Sequence, residues 1–138
     1  MDTPTKPRVL IVEDHPLIAE LVETRLRIEG MAPTKCAGGR EALAALAGEQ
    51  FDAVILDITM PDVDGYEVLR AIRATAMTAT MPVIFLTAKS SPADVEKGLA
   101  LGANHYVTKP FSGQDLMRKL RLCLAERRPA VAESPAAG

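Results

Sequence analysis

Three short, unbroken runs of apolar residues stand out along this chain, at residues 9–12, 54–56 and 83–86. Continuous runs of this length are typical of strands that are buried on both faces of a parallel sheet. Two further candidates, residues 33–37 and 105–108, are weaker and more polar. The first of these begins with proline, which cannot donate to a sheet ladder. We therefore expect it at one edge of the sheet, and the second weak strand at the other edge.

Helical patterns fill the intervals between these strands. Apolar residues from Leu17 to Leu26 recur at helical spacing, and Gly30 follows as a stop signal. Residues 41–46 are rich in Ala and Leu, and Gly48 closes that stretch. Three more helix starts combine a capping residue with an acid three positions later: Asp64 with Glu67, Ser91 with Asp94, and Ser112 with Asp115.

A strand therefore alternates with a helix five times along the chain. Such alternation predicts an α/β fold, in which helices cover both faces of a parallel sheet through right-handed crossovers. Two weak edge strands favour the doubly wound, flavodoxin-like order 2-1-3-4-5 over a barrel, which needs more units. Residues 1–7 are expected to be an N-terminal extension. The Pro- and Ala-rich residues 128–138 are expected to be a flexible tail or the start of a linker.

Composition narrows the possible partners. The 138 residues suit one domain, and the formal net charge of −2 indicates neither nucleic acid nor an anionic membrane as a bulk partner. We interpret the basic residues of the last helix as a solvated face. No signal peptide or spanning segment is evident, so a cytoplasmic location is expected. Cys36 and Cys123 lack the spacing of a zinc site or disulfide framework and are expected to be isolated thiols.

Five polar residues occupy the points where predicted strands end: Glu13, Asp14, Asp57, Thr87 and Lys109. Open α/β sheets bind ligands outside the carboxyl ends of their strands, where the strand order reverses. In the order 2-1-3-4-5 that point lies between the first and third strands. The fold alone therefore predicts that these side chains surround one crevice.

The chemistry of the five side chains suggests phosphoryl transfer. Three neighbouring carboxylates raise each other's pKa unless a cation compensates, and hard oxygen ligands suit Mg²⁺, with Mn²⁺ as an alternative. Beside such a cation, Asp57 would be an ionised nucleophile toward phosphorus. Lys109 would neutralise the oxygens of the transferred group, and Thr87 would donate a hydrogen bond to one of them.

Several motifs resemble the response-regulator receiver domain of two-component signal transduction, in the CheY-like superfamily. The likeness covers residues 8–127. The matching segments are the acidic pair 13–14, LDITMPDVDG at 56–65, LTA at 86–88, GANHY at 102–106 and TKPF at 108–111. Each is common by itself, whereas all of them in this order and spacing are a specific signal.

The resemblance implies a role for each residue around the crevice. Asp57 would be the phosphoacceptor, with Asp14 binding Mg²⁺ directly and Glu13 acting through water. Asp57 and the backbone carbonyl of Thr59 would complete the protein's metal ligands. Lys109 would contact the phosphoryl group and precede a cis peptide bond to Pro110, an isomer that is rare outside X–Pro bonds.

The resemblance also implies how the signal passes on. A histidine kinase or a histidine phosphotransfer protein would donate the phosphoryl group, after which Thr87 and Tyr106 would act as a switch pair. The surface of the fourth helix, fifth strand and fifth helix would then change and bind a protein partner. We expect self-phosphorylation and self-dephosphorylation without turnover of an external substrate, and no direct binding of nucleic acid or membrane.

Two positions depart from the family pattern. Asn104 and His105 stand where many DNA-binding members carry acids, so a monomer or a weak, phosphorylation-dependent dimer is expected. No helix-turn-helix pattern follows the fifth predicted helix. Two alternatives stay open: a single-domain regulator, which is slightly favoured, and a fragment whose effector domain lies beyond Gly138.

Two other functions would use some of the same residues. A haloacid-dehalogenase-type phosphatase also uses an aspartyl nucleophile after an apolar strand. Such enzymes need an acid two residues later, where Thr59 stands, and their nucleophile follows the first strand, whereas Asp57 follows the third. A nucleotide- or flavin-binding domain would need a glycine-rich phosphate loop after the first strand, where Glu13 and Asp14 stand instead.

Overall fold

Five strands form one parallel sheet in the computed structural model, which describes residues 6–137, with side chains for residues 6–126. The strands are β1 (Arg8–Val12), β2 (Ala32–Cys36), β3 (Ala53–Leu56), β4 (Val83–Thr87) and β5 (His105–Thr108). Their order across the sheet is β2-β1-β3-β4-β5, and each neighbouring pair is parallel. The predicted α/β class and strand order are confirmed, with the two weakest strands at the edges.

Each strand is followed by a helix. The helices are α1 (Pro16–Ile28), α2 (Gly39–Gly48), α3 (Gly65–Ala74), α4 (Pro92–Ala100) and α5 (Gly113–Ala137). The predicted helix starts are present: Asp64 and Glu67 form a reciprocal capping box on α3, and the Ser91 side chain accepts from the Asp94 N–H on α4. Local hydrogen bonding therefore sets where these two helices begin.

The sheet separates two hydrophobic layers. Successive residues of β1 point to opposite faces, so Leu10 and Val12 pack with α2 and α3, whereas Val9 and Ile11 pack with α1 and α5. Strands β3 and β4 are buried along their whole length, as the unbroken apolar runs predict. Helix α4 joins the first layer, where Gly98 contacts Phe85.

Other predictions concern the two cysteines, membrane-spanning segments and the two ends of the chain. Cys36 and Cys123 are free and buried, and burial raises the pKa of each thiol to about 11. Among the described residues, no helix is both long and apolar enough to cross a membrane. Residues 1–5 and the side chains of residues 127–138 lie outside the described part, so the predicted extension over 1–7 and tail over 128–138 stay predictions.

Candidate functional site

The register of the sheet brings Glu13 and Asp57 side by side. Strand β1 pairs with β3 so that Val12 lies opposite Leu56, and the next residue of each strand is an acid. The Asp57 N–H donates to the Val12 carbonyl at 2.9 Å, which continues the ladder to the edge of the sheet. The predicted crevice between the first and third strands is therefore present, with acids on both sides.

Three carboxylates lie close enough together to share one cation. Oxygen atoms of Glu13, Asp14 and Asp57 all lie within 4.8 Å of one another. Glu13 and Asp57 are each only 4% exposed, whereas Asp14 faces solvent. The arrangement has two buried acids at its base and one exposed acid at its mouth.

Lys109 reaches into this group from the loop after β5. Its Nζ lies 2.8 Å from Glu13 Oε1 and donates a hydrogen bond to Asp57 Oδ2 at 3.0 Å. The Lys109 N–H donates to the Thr87 carbonyl at 2.8 Å, which ties the loop to the end of β4. The bond from Lys109 to Pro110, predicted to be cis, is cis. One ammonium group thus faces two buried carboxylates.

One lysine does not balance the negative charge of the three carboxylates at the site. Burial, together with the nearby charge of Asp57, raises the pKa of Glu13 even though Lys109 opposes the shift. Burial would lower the pKa of Lys109, but its pairing with Glu13 and Asp57 prevails and raises it. Glu13 Oε1 is buried, and the charged group facing it is the Lys109 ammonium at 2.8 Å. Since three carboxylates share this one ammonium, a divalent cation such as Mg²⁺ would balance the remaining charge.

The loop after β3 contributes through its backbone. The Thr59 N–H donates to Asp57 Oδ1 at 3.3 Å, while the Thr59 side chain is exposed. Each Asp57 oxygen therefore has one protein donor, Thr59 on one and Lys109 on the other. These two contacts orient the Asp57 carboxylate within the crevice.

The two residues expected to form a switch pair meet through the backbone of Lys89. Thr87 is fully buried at the end of β4, and its Oγ1 accepts from the Lys89 N–H at 3.3 Å. The Tyr106 hydroxyl donates to the Lys89 carbonyl at 2.7 Å. Burial raises the pKa of the Tyr106 phenol to about 12. The family resemblance named Thr87 and Tyr106 as a pair but not this connection through the backbone of Lys89, which no side-chain pattern signals.

Tyr106 is also the end of a chain of aromatic rings. The ring centroids of Tyr106 and Phe85 are 5.8 Å apart, as are those of Phe85 and Tyr66, and both pairs meet edge to face. Lys97 of α4 lies over the Tyr66 ring with its Nζ 4.1 Å from the centroid. This cluster was not found from sequence, although an isolated glycine inside the α4 pattern, Gly98, was an available signal of close packing.

Asn104, one of the two departures from the family pattern, has a role within the fold. Its Oδ1 accepts from Arg73 Nη2 at 3.0 Å and from the Val83 N–H at 2.9 Å. Arg73 also donates to the carbonyls of Gly102 and Met81. Asn104 therefore anchors the start of β4 to α3 instead of carrying a charge on the surface.

Comparisons with known proteins agree with this geometry. The profile of the response regulator receiver domain matches residues 9–121. The transcriptional regulatory protein TrcR of Mycobacterium tuberculosis is 42% identical over 129 residues, which cover 94% of this chain and 49% of that protein. The chain spans about half the length of the curated relatives it matches first.

Solved structures give the same result. The chemotaxis response regulator CheY4 of Vibrio cholerae is 34% identical with a TM-score of 0.82, covering 87% of this chain and 100% of that one. The receiver domain of a sensor histidine kinase from Pseudomonas aeruginosa is 34% identical with a TM-score of 0.81, covering 88% of this chain and 99% of that one. In that structure a magnesium ion is coordinated in the active site cleft.

Proposed function

The chain belongs to the response regulator receiver domain family, whose members are phosphoryl-accepting switches of two-component signalling, and from this premise we propose that Asp57 is its phosphoacceptor. The observation that carries the proposal is the pairing of buried Asp57 with Lys109 at 3.0 Å, inside a group of three carboxylates. The site does not support the phosphatase alternative, because Thr59 stands where that chemistry needs an acid.

In the proposed reaction, an oxygen of Asp57 attacks the phosphorus of a phosphohistidine donor. An O–P bond forms and the donor's N–P bond breaks, with the electron pair leaving on the imidazole nitrogen. Thr59 N–H and Lys109 Nζ hold the carboxylate in place on its two oxygens. Since the reacting group is highly charged, positioning and neutralisation are the main contributions of this chain.

Glu13, Asp14 and Asp57 are the residues that would hold Mg²⁺, with the Thr59 carbonyl as a further ligand in the proposal. When bound, the ion would neutralise charge on the phosphoryl oxygens. Lys109, whose Nζ lies 3.0 Å from Asp57 Oδ2, would also neutralise charge on those oxygens. We infer that turnover of external phosphomonoesters is absent, because Thr59 stands where such a phosphatase carries its general acid.

The switch in this proposal depends on the backbone N–H and carbonyl of Lys89. Phosphorylation adds about −1.5 to −2 charge at a site that carried one carboxylate. Thr87 Oγ1 would turn toward the new oxygens, which changes its contact with the Lys89 N–H and the bond from Tyr106 to the Lys89 carbonyl. The β4–α4 loop would then settle in a second arrangement, and the surface of α4, β5 and α5 would change with it.

This chain has an exposed apolar surface beside the crevice on which a protein donor could dock. Leu17, Leu21 and Ile28 lie on one face of α1 and are 63%, 59% and 74% exposed. Helix α1 begins two residues after Asp14. We name these three residues the α1 stripe, and a histidine kinase or phosphotransfer protein that covered it would also cover the crevice.

The target on which the changed surface acts is also part of the proposal. Relatives such as TrcR are transcriptional regulators, and this chain spans about half of their length. If a DNA-binding segment belongs to the same protein, the changed surface of α4, β5 and α5 would act on it. Otherwise it would act on a separate protein partner, in the cytoplasm, as a monomer or weak phosphorylation-dependent dimer.

Intact mass after incubation with Mg²⁺ and acetyl phosphate tests the proposal. The wild-type chain is expected to gain one phosphoryl group, and Asp57→Asn is expected to gain none. Removing Mg²⁺ with a chelator should abolish the gain. An unmodified wild type, or an equal gain in Asp57→Asn, would overturn the proposal.

A further inference from the structure

Helix α2 takes its N-terminal cap from a distant loop. Its N-cap residue is Gly38, which has no side chain to accept the first N–H groups of the helix. Asp62, in the loop after β3, accepts instead: its Oδ1 from the Gly39 N–H and its Oδ2 from the Arg40 N–H, both at 3.3 Å. A carboxylate at a helix N-terminus is also favoured by the helix dipole.

The backbone of the same loop packs against α2 with no space between them. A Cβ added to Gly39 would lie 2.1 Å from the carbonyl oxygen of Val63 and 2.8 Å from its Cβ. Only glycine permits this approach. The contact of Asp62 with α2 is therefore accompanied by a second, independent contact at the neighbouring residue.

This loop carries the phosphorylation-site backbone. It leaves Asp57, passes Thr59, whose N–H donates to Asp57 Oδ1, and closes where the Gly65 N–H donates to the Ile58 carbonyl at 2.8 Å. Its far end is fixed by the capping box of Asp64 on α3. Within the loop, Ile58 and Met60 are buried in the core, whereas exposed Asp62 and the backbone of Val63 contact α2.

We propose that Asp62 is a positioning residue for the metal and phosphoryl site, acting by fastening the loop that carries Thr59 to the first turn of α2. The inference rests on the proposed function, since it concerns how that site binds Mg²⁺. Asp62 itself is exposed and touches neither Asp57 nor Glu13 in any described contact. Its effect passes through the backbone between residues 59 and 62. At other metal sites, groups that do not touch the metal likewise orient the residues that do.

Calorimetric titration of the whole chain with Mg²⁺ alone tests this inference. Asp62→Ala removes the acceptor and is expected to weaken Mg²⁺ binding on the order of ten-fold, the scale of outer-shell losses. Asp62→Asn keeps an acceptor for one N–H and is expected to fall between Asp62→Ala and the wild type.

Glu41→Gln is the matched control. Glu41 lies in the same first turn of α2 but accepts within its own loop, from the Ala37 N–H at 2.8 Å. Replacing it removes one negative charge from that turn without releasing the loop after β3, so Mg²⁺ affinity should be unchanged. Thermal unfolding confirms that each variant is folded.

The outcomes separate this inference from the proposed function. If the wild type binds Mg²⁺ and Asp62→Ala binds it equally well, the positioning role is wrong while the proposed function stands. Equal losses in Asp62→Ala and Asp62→Asn, or a loss in Glu41→Gln, would assign the effect to charge and also overturn the role. A wild type that neither binds Mg²⁺ nor gains a phosphoryl group would overturn the proposed function, and this inference with it.

Discussion

The ring of Tyr106 packs directly on Gly98 of α4. A Cβ added to Gly98 would lie 3.0 Å from a ring carbon of Tyr106 and 3.0 Å from a ring carbon of Phe85. Glycine inside a helix costs up to about 1 kcal/mol relative to alanine, and here the close approach of two rings explains its presence. The position of α4 and the position of the Tyr106 ring are thus mutually dependent.

Gly98→Ala is expected to displace Tyr106. The gain in helix propensity would be offset by overpacking, which costs about 1–3 kcal/mol in a well-packed site. The bond from the Tyr106 hydroxyl to the Lys89 carbonyl, which measures 2.7 Å, should lengthen as the ring shifts. NMR contacts of the Tyr106 ring and urea unfolding measure the two effects.

Gly48→Ala is the control for Gly98→Ala. Gly48 ends α2, and an added Cβ there would meet nothing within 4 Å. That variant should be as stable as the wild type or more stable, because it gains helix propensity without a clash. A Gly98→Ala chain as stable as Gly48→Ala, with Tyr106 in place, would contradict the packing argument.

The position of the crevice could be predicted because it depends on local patterns. Unbroken apolar runs identify the buried strands, and weak strands identify the edges. Once the order is known, Glu13, Asp57 and Lys109 must lie at one edge of the sheet. Lys109 also meets Glu13 at 2.8 Å, a contact that was not predicted, because Lys109 was assigned to the phosphoryl oxygens.

The contacts that surround the crevice could not be predicted in the same way. Asp62 caps a helix that begins 23 positions earlier in the chain. The bridge from Tyr106 to Lys89 uses a carbonyl, which every residue type has. Such contacts depend on how loops fold in three dimensions, and residue type does not encode them locally.

Tyr66→Phe is expected to leave the free energy of unfolding unchanged or to raise it by up to about 1 kcal/mol. The Tyr66 hydroxyl is buried and has no hydrogen-bond partner among the described residues, so its removal relieves an unsatisfied group. The ring contacts with Phe85 and Lys97 would be kept. Urea unfolding measures the change.

Tyr106→Phe is the partner experiment for Tyr66→Phe. The Tyr106 hydroxyl makes a hydrogen bond at 2.7 Å, so its loss should cost about 0.5–1.5 kcal/mol. The two variants remove the same atom from neighbouring rings. If Tyr66→Phe is destabilised as much as Tyr106→Phe, then the Tyr66 hydroxyl has a partner after all.

Glu13→Gln is expected to stabilise the Mg²⁺-free protein, and increasingly so as pH rises. The folded state raises the pKa of Glu13 above its usual 4.5, chiefly by burial. The native protein therefore holds this proton more tightly than the unfolded chain, so ionisation of Glu13 costs stability as pH passes upward through the raised pKa. The difference in unfolding free energy between variant and wild type should grow as pH rises above 4.5 and level off once pH has passed the raised pKa of Glu13.

Mg²⁺ provides the control for the Glu13 experiment. In the proposal the cation favours ionised Glu13, so saturating Mg²⁺ should stabilise the wild type more than Glu13→Gln. A difference between the two proteins that does not vary with pH would show that Glu13 keeps an ordinary pKa. A difference that shrinks as pH rises would contradict the burial argument outright.

Lys109→Met is expected to destabilise the protein by about 2 kcal/mol without Mg²⁺. It leaves Glu13 and Asp57 buried without their shared cation, and breaking a buried pair on one side is costly. The loss should be smaller than in a sealed core because the Lys109 side chain is 17% exposed. Mg²⁺ should restore part of it by binding the freed carboxylates.

Lys35→Met is the matched control for Lys109→Met. Lys35 pairs with Glu23 at 3.0 Å, but the two side chains are 43% and 21% exposed. Exposed pairs contribute less than about 1 kcal/mol, and Mg²⁺ should not affect this one. Similar losses in both variants, with no rescue of Lys109→Met by Mg²⁺, would argue against a cation site at the crevice.

Leu21→Asp is expected to slow phosphoryl transfer from a protein donor without affecting a small one. It places a charge in the middle of the α1 stripe, where Leu21 is 59% exposed and so contributes little to the fold. With a phosphorylated histidine kinase domain that labels the wild type, transfer should fall on the order of ten-fold, as when an apolar interface contact is lost. Labelling by acetyl phosphate should be unchanged because the crevice is intact. Met77→Asp, at a residue that is 76% exposed between α3 and β4, controls for an added surface charge. Equal kinase transfer to Leu21→Asp and Met77→Asp would remove α1 from the docking surface.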